Sequence, residues 1–307
     1  TLLYSELVTD LASVQADIAV IGMPFGAAYG PRSFTNDQSN APQALRELSD
    51  RMVRAPEHYD FDIDGPLLQG RSDIRFIDCG DVLPSLDKPG AHYAQLEAVI
   101  RELRKGGALP IVLGGDHGIT TPALRGYSDE GPITLVHVDA HLDWRDEVNG
   151  VKEGLSSPIR RASEMGHVDR IIQIGLRAQG SARPADLQAA RDYGAELVTA
   201  YELHDIGMDA VLERIPDGGR YYLSIDADGL DPTIMPAVDG PAPGGVTFVQ
   251  ARKLIHGLVK KGRVVGMDIV EIQPSKDVPS KVTCVTAGRL IVNLIGSTIR
   301  AGYFDKK

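Results

Sequence analysis

The octapeptide HVDAHLDW, residues 137–144, places Asp139, His141 and Asp143 at every second position, directly after the apolar run ITLV. A buried carboxylate destabilises a fold unless a positive charge lies against it. Three ionisable side chains at this spacing are therefore either solvated at a strand end or bind something charged.

Three further segments carry ionisable side chains at the end of an apolar run. LPIVLG is followed by GDH with His117, RYYLSI by DAD with Asp226 and Asp228, and VVGMDI by VE with Glu271. In open parallel sheets, ligands bind at the carboxyl ends of the strands. If these runs are parallel strands, all of these side chains meet at one edge of the sheet.

Four aspartates in one cluster repel one another strongly unless cations lie between them. The four are Asp139, Asp143, Asp226 and Asp228. Two divalent ions would balance their charge, and imidazoles would complete the ligand sets without adding any. Mixed oxygen and nitrogen ligands favour Mn, Fe, Co, Ni or Zn over Ca or Mg. Two such ions about 3.5–4 Å apart can share a water and lower its pKa towards neutrality. The sequence therefore predicts a dinuclear centre that holds hydroxide and suits a cationic electrophile.

The spacing of the first segment imposes a geometric condition. In a fully extended strand, Asp139 and Asp143 would lie about 13 Å apart, which is too far for one compact cluster. We therefore expect the strand to end near Asp139 and the chain to turn back there. Asp226 and Asp228 can share a face without such a bend.

Eight short apolar runs, rich in β-branched residues, alternate with amphipathic helical segments. They span residues 17–22, 74–79, 109–114, 133–138, 170–175, 195–200, 220–225 and 264–269. Most are too apolar to have a solvated face, which indicates strands covered on both sides. The alternation predicts an α/β fold in which one parallel sheet carries helices on both faces.

Composition excludes some partners and compartments. Acidic residues outnumber basic ones 42 to 32, giving a net charge of −10. This argues against nucleic acid or an anionic membrane as the main partner. The chain shows no apolar leader, no run of about 18 apolar residues and no nucleotide-binding glycine motif. The two cysteines, Cys79 and Cys284, fit buried thiols in a reducing compartment. We expect a cytoplasmic protein.

Together these motifs resemble those of the ureohydrolases, the family of arginases and agmatinases. GGDHGIT resembles the family's G-G-D-H motif, HVDAHLD its D-A-H-x-D motif, SIDADGLDP its S-[IL]-D-[IV]-D-x-x-D-P motif, and DIVEIQP its D-[IV]-V-E-x-x-P segment. The resemblance covers about residues 17–300 and favours the agmatinase branch. It implies a single three-layer α/β domain over residues 1–307, with an eight-stranded, mainly parallel sheet of the arginase-like fold.

The resemblance also implies an enzyme that hydrolyses a small cationic guanidino substrate to urea and an amine, with two Mn²⁺ ions or, alternatively, Ni²⁺. One ion would be held by His117, Asp139, Asp143 and Asp226, and the other by Asp139, His141, Asp226 and Asp228. Glu271 would fix the guanidinium plane through paired hydrogen bonds. A metal-bridging hydroxide would attack the central carbon, and Asp143 would relay a proton to the departing nitrogen. A homo-oligomer, trimeric or hexameric, is implied, and a hetero-oligomer remains open.

The sequence departs from the family at one motif. Members carry H-G-x-P after the D-A-H-x-D loop, but the corresponding stretch here is EGLSSPIRRA, with Leu155 in place of the histidine. An apolar Leu155 predicts a less polar substrate end. Trp144, the only tryptophan, either lines the pocket or packs as a loop aromatic.

Several substrates and functions stay open at this point. Arginine is disfavoured because no arginase-type loop for an amino acid head group is evident. Agmatine, guanidino acids, free guanidine, alkylated guanidines and biguanides are candidates. Two other functions are a non-catalytic, metal-binding partner subunit of a hetero-oligomeric ureohydrolase and a hydrolase of formimidoyl groups.

Overall fold

The named strands of the described residues pair in parallel within one nine-stranded sheet. The computed structural model describes residues 1–27, 29–30, 37–83 and 88–305. The strands are β1 (Glu6–Leu7), β2 (Ile18–Met23), β3 (Phe76–Asp81), β4 (Leu109–Gly114), β5 (Ile133–Val138), β6 (Val168–Leu176), β7 (Glu196–Thr199), β8 (Arg220–Asp226) and β9 (Arg263–Val270). Their order across the sheet is β1-β3-β2-β4-β9-β8-β5-β6-β7.

The eight predicted strands are present as β2 to β9, with ends shifted by up to two residues. The ninth strand, β1, was not predicted, so the expected strand number was low by one. β1 has two residues, both exposed, and pairs with β3 at the edge of the sheet. Such a short, exposed strand leaves no apolar run in the sequence, because no face of it has to be buried.

Helices cover both faces of the sheet, as predicted. They are α1 (Ala41–Glu47), α2 (Ser49–Met52), α3 (Pro89–Lys105), α4 (Thr120–Arg125), α5 (Pro158–Ser163), α6 (Pro184–Tyr193), α7 (Ala200–Glu213), α8 (Phe248–Lys261) and α9 (Val282–Arg300). Buried residues of α1, α2, α7, α8 and α9 form one core, and those of α3 to α6 form the other. Because alternate strand residues point to opposite faces, Val136 and Val138 of β5 enter the first core and Ile133 and Leu135 the second.

Among the described residues, α9 is the one helix long and apolar enough to cross a membrane, but 83% of its apolar window is buried in the fold. It packs against α8 and contributes Leu290, Ile291 and Leu294 to the first core. The sequence does not show it as a continuous apolar run because Arg289 and Asn293 interrupt it. Its hydropathy is that of a core helix.

The strand order brings together, at the centre of the sheet, two pairs of strands that are far apart in the sequence, β4 with β5 and β8 with β9. β4 and β5 follow each other in the sequence, yet β9 and β8 lie between them. The carboxyl ends of β4, β9, β8 and β5 therefore meet at one edge, at the point where the strand order reverses direction. In open parallel sheets, ligands bind at such a point. All four of the segments with ionisable side chains begin at these ends.

Candidate metal centre

The first segment turns back on itself, as its spacing required. β5 ends at Val138, and the backbone N–H of His141 donates to Asp139 Oδ1 at 2.6 Å. Asp143 has a φ of 47°, in the left-handed region that aspartate tolerates better than most residues. The bend brings Asp143 Oδ2 to 3.0 Å and Asp139 Oδ2 to 3.4 Å from Nδ1 of His117. The predicted end of the strand near Asp139 is confirmed.

The second pair of aspartates stands at the end of β8. The Asp228 backbone N–H donates to Asp226 Oδ1 at 2.9 Å, which closes a tight turn over Ala227–Gly229. Asp226 Oδ2 lies 3.0 Å from His117 Nδ1, and Asp228 Oδ2 lies 3.1 Å from His141 Nδ1. The two aspartates thus face different histidines.

Gly229 allows the loops after β5 and β8 to touch. A Cβ atom at this position would lie 2.6 Å from the backbone nitrogen of Asp139 and 2.7 Å from its Cα. Only glycine permits such a close backbone approach. The contact is completed by the Ala140 N–H, which donates to Asp228 Oδ1 at 3.3 Å.

The six ligands expected from the sequence therefore come together. Five of the six contribute ligand atoms to two groups, each spanning less than 4.8 Å, and Asp139 belongs to both. Asp226 is in neither group, but its Oδ2 lies 3.0 Å from Nδ1 of His117. The first group also contains a residue that the sequence analysis did not select, His137. The buried atoms His117 Nδ1 and Asp139 Oδ2 have no hydrogen-bond partner. Buried nitrogen and oxygen atoms that lie among carboxylates without a hydrogen-bond partner are suited to bind cations. These groups could therefore hold divalent metal ions.

The electrostatics of the cluster require added positive charge. Burial and the neighbouring carboxylates raise the pKa of Asp226 well above its ordinary value, and burial raises the pKa of Asp228 to about 6. The Asp228 carboxylate in turn raises the pKa of His141 to about 10. Without bound cations, the cluster therefore retains protons that offset its negative charge.

His117 is oriented from behind by two residues that the sequence analysis missed. The Ser224 hydroxyl donates to Asp268 Oδ1 at 2.7 Å, so its lone pair accepts from Nε2 of His117 at 3.0 Å. The Nδ1 lone pair of His117 therefore faces the cluster. The sequence carried a signal for both partners, since each is a polar residue inside an otherwise apolar strand.

Arg177, which follows β6, was also missed. Its guanidinium is buried, and within the described part of the chain its acceptors are backbone carbonyls. The acceptors are the carbonyl oxygens of Gly175, Asp228, Gly229, Leu230 and Ala242. The side chain thereby holds the loop that carries Asp228 and places a fixed positive charge behind the cluster.

Glu271 follows β9 and has a φ of 64°. Its Oε1 accepts from the backbone N–H of His117 at 2.8 Å, and its Oε2 accepts from Gln38 Nε2 at 2.8 Å. Both donors are neutral. Burial, followed by the charge of Asp116, raises the pKa of Glu271 to about 8. The sequence analysis did not select Gln38.

A cleft of about 180 Å³ opens over the cluster. Its described lining consists of His141, Asp143, Leu155, Ser156, Gly180, Ser181, Asp226, Asp228, Asp239, Gly240 and Glu271. Five of these are acids, and no lysine or arginine occurs in this part of the lining. The cleft therefore suits a small cation.

Trp144 is not part of that lining. Its side chain is 1% exposed and packs in the second core, with its ring centroid 5.7 Å from that of Tyr193. Trp144 is therefore the packed loop aromatic that was one of the two alternatives, and it does not line the pocket. Because the side chain of Asp143 turns towards the cluster, the side chain of the next residue, Trp144, points away from it.

Known proteins resemble this chain over most of its length. A model of the arginase family matches residues 16–296. A guanidinopropionase of Pseudomonas aeruginosa is 33% identical over 293 residues, which cover 91% of this chain and 85% of the relative. An agmatinase of Salmonella paratyphi B is 30% identical over 286 residues, covering 91% of this chain and 87% of the relative.

A solved structure also aligns with this chain over most of its length. The proclavaminate amidino hydrolase of Streptomyces clavuligerus aligns with a TM-score of 0.81 and 26% identity, over 98% of this chain and 97% of its own. These relatives are amidinohydrolases by name, and the resemblance expected from the four motifs is confirmed. The chain belongs to the arginase family.

Proposed function

We propose that this protein is a dinuclear-metal amidinohydrolase that cleaves a small guanidino compound to urea and an amine. The observation that carries the proposal is Glu271, a buried carboxyl on the wall of an acidic cleft, whose two hydrogen-bond donors are both neutral. A guanidinium ion supplies the absent positive charge and presents two parallel N–H groups to one carboxylate. The activities named for the relatives support the same reaction class.

Two ions, Mn²⁺ or alternatively Ni²⁺, fit the oxygen and nitrogen donors of the cluster. His117, Asp139, Asp143 and Asp226 would hold the first ion, and Asp139, His141, Asp226 and Asp228 the second. In this assignment Asp139 and Asp226 would belong to both ligand sets. When bound, the ions supply Lewis acidity and lower the pKa of a shared water, so that hydroxide is available near neutral pH.

The side chains of this chain then orient the reaction. Glu271 accepts N–H bonds from the guanidinium and holds its plane, so that one face of the central carbon is open to attack. A C–O bond forms at this carbon and a C–N bond breaks. Asp143 belongs to both the cluster and the cleft wall. Its carboxylate takes the proton released by the nucleophile and passes it to the departing nitrogen.

The outer cleft favours a short substrate whose far end is uncharged. Leu155 is apolar, and Gly180 and Ser181 add little polarity. Asp239 at the mouth is paired with Lys276 at 3.0 Å. The volume of about 180 Å³ is below the roughly 300–1,000 Å³ of pockets for drug-sized ligands. Free guanidine, alkylguanidines and biguanides therefore fit better than guanidino acids, whose carboxylate would be repelled.

By family analogy, we also propose a homo-oligomer in the cytoplasm, with a trimer or a hexamer as the expected forms. Native mass spectrometry of the purified chain tests the assembly. A complex that forms only with a second, related chain would favour the partner-subunit alternative.

The reaction class is tested with a panel of substrates. The purified chain, loaded with Mn²⁺ or Ni²⁺, is assayed for urea with guanidine, methylguanidine, biguanide, agmatine and guanidinobutyrate. We expect urea, with the highest kcat/KM for a compound with an uncharged end. Formamide from a formimidoyl compound would indicate that alternative hydrolase, and no turnover with either metal would indicate a partner subunit. A preference for guanidinobutyrate would contradict the argument for an uncharged substrate end, but it would not contradict the proposed reaction class.

The bridging role of Asp226 is tested by Asp226→Asn. Loss of one negative charge from both ligand sets should reduce bound metal below two ions per chain and lower kcat by at least about 100-fold. Metal is counted by plasma mass spectrometry, and kcat by urea release. Asp205→Asn, at an exposed position, is the matched control. Unchanged metal content and rate in Asp226→Asn would refute the assignment.

The loop-holding role of Arg177 is tested by Arg177→Met, which keeps an unbranched, flexible side chain and removes the guanidinium donors. Several buried carbonyls lose a partner, at about 1–3 kcal/mol each. We expect a lower thermal midpoint and metal affinity reduced by about 10–100-fold. Arg214→Met, at a half-exposed site, should change neither. If metal affinity survives in Arg177→Met while the fold remains intact, the loop does not depend on this side chain.

The missing family histidine is tested by Leu155→His. A proton-transfer group at this place should raise kcat/KM for agmatine by at least about tenfold, since general acid–base catalysis contributes 10²–10⁴-fold in enzymes. Leu155→Asn controls for polarity without proton transfer. Equal rates for the two variants would mean that the lost histidine does not explain substrate choice.

A further inference from the structure

We infer that His137 and Gln173 position the bridging carboxylate of Asp139 through a hydrogen-bonded relay, and that His137 is a donor to this carboxylate and not a metal ligand. The inference rests on the proposed dinuclear centre. It concerns two buried residues of β5 and β6 that have no role in the mechanism above.

By distance alone, His137 could be a ligand. Its side chain is fully buried, and its ring centroid lies 4.9 Å from that of His117. Its Nε2 atom is 2.9 Å from Asp139 Oδ2 and belongs to the first group of clustered ligand atoms. A ring nitrogen binds a metal only through a free lone pair. The role of His137 therefore depends on which of its nitrogens carries the proton.

Gln173 decides this question. Its Nε2 lies 2.9 Å from the carbonyl oxygen of Leu142 and 2.9 Å from Nδ1 of His137. The Gln173 atom that faces the Leu142 carbonyl has to be the amide nitrogen. With the amide reversed, its oxygen and the carbonyl oxygen, both acceptors, would lie 2.9 Å apart. The second hydrogen of this nitrogen then points to His137 Nδ1, which accepts it. An imidazole that accepts at Nδ1 is neutral and carries its proton on Nε2.

Among the residues that the structure describes, the acceptor within reach of the protonated Nε2 of His137 is Asp139 Oδ2, at 2.9 Å. The N–H direction is not fully aligned with this oxygen, and both atoms are otherwise buried without a partner. An unsatisfied buried donor costs about 1–3 kcal/mol, which a small rotation of the ring avoids. On the other side of the carboxylate, Oδ1 accepts from the backbone N–H of His141 at 2.6 Å. Each oxygen of Asp139 is thus held towards a different ligand group.

The two neighbouring imidazoles therefore have opposite roles. Ser224 accepts from Nε2 of His117, which leaves the Nδ1 lone pair of His117 facing the cluster. Gln173 donates to Nδ1 of His137, which leaves an N–H facing the cluster. The partner at the far nitrogen decides in both cases whether the near nitrogen binds a cation or orients a carboxylate.

Two substitutions at His137 test the relay. His137→Gln keeps a side-chain N–H near the position of Nε2, whereas His137→Phe keeps the ring volume and removes the donor. Titration calorimetry with Mn²⁺ should show affinity reduced by about 10–100-fold in His137→Phe and largely restored in His137→Gln. Wild-type affinity in a folded His137→Phe variant would overturn the inference.

The tautomer is measured directly, and this keeps the inference testable if His137→Phe does not fold. Long-range proton–nitrogen NMR of histidine-labelled protein, metal-free and loaded with Zn²⁺, should show His137 protonated at Nε2 in both states. Gln173→Met should remove this preference. A His137 resonance with protonated Nδ1 and metal-shifted Nε2 would make it a ligand and would refute the relay. A chain with this tautomer and metal dependence but no hydrolysis of any guanidine would refute the proposed function only.

Discussion

Mutual repulsion between buried carboxylates is the constraint around which this protein is organised. Asp139, Asp143, Asp226 and Asp228 are each at most 6% exposed and share one edge of the sheet. Two unit charges 4 Å apart interact by about 4 kcal/mol at an effective dielectric constant of 20, so four of them are untenable without compensation. The metal-free chain responds by keeping protons on the cluster, with the pKa of His141 raised to about 10. In the proposed centre, divalent ions would replace those protons.

The same constraint explains the polar residues inside the strands. Ser224, Asp268 and Gln173 are fully buried in segments that otherwise read as apolar core. Each hydrogen-bonds to a histidine of the cluster or to a residue that does. A metal site needs its ligands fixed in direction as well as in place, and hydrogen bonds from these buried side chains provide that direction. The buried guanidinium of Arg177 adds the one fixed positive charge described behind the cluster.

Charge balance also connects the metal centre to the substrate. Two divalent ions would neutralise the four aspartates, and a hydroxide together with Glu271 would leave the site with an excess of about two negative charges. A guanidinium ion reduces this excess, whereas a carboxylate tail would increase it. The described lining of the cleft contains no lysine or arginine that could pair with such a tail. The proposed reaction class and the proposed preference for an uncharged substrate end thus rest on one electrostatic argument.

The sequence by itself predicted the eight main strands, the bend after Asp139 and a set of candidate metal ligands that the fold brings close together. It could do so because buried parallel strands require continuous apolar runs, and because a spacing of two residues limits which side chains can share a site. Neither requirement depends on distant parts of the chain. The family motifs added the reaction class, and the replacement of the histidine by Leu155 was visible as a local departure.

Only the tertiary structure decided the roles that depend on direction. His117 and His137 are both buried histidines next to aspartates, and they differ in their partners, Ser224 and Gln173, which lie far away in the sequence. Trp144 points into the core because of the turn at the residue before it. A hydrogen bond or a side-chain direction is set by neighbours that the folded sheet brings together, so no local pattern could have predicted it.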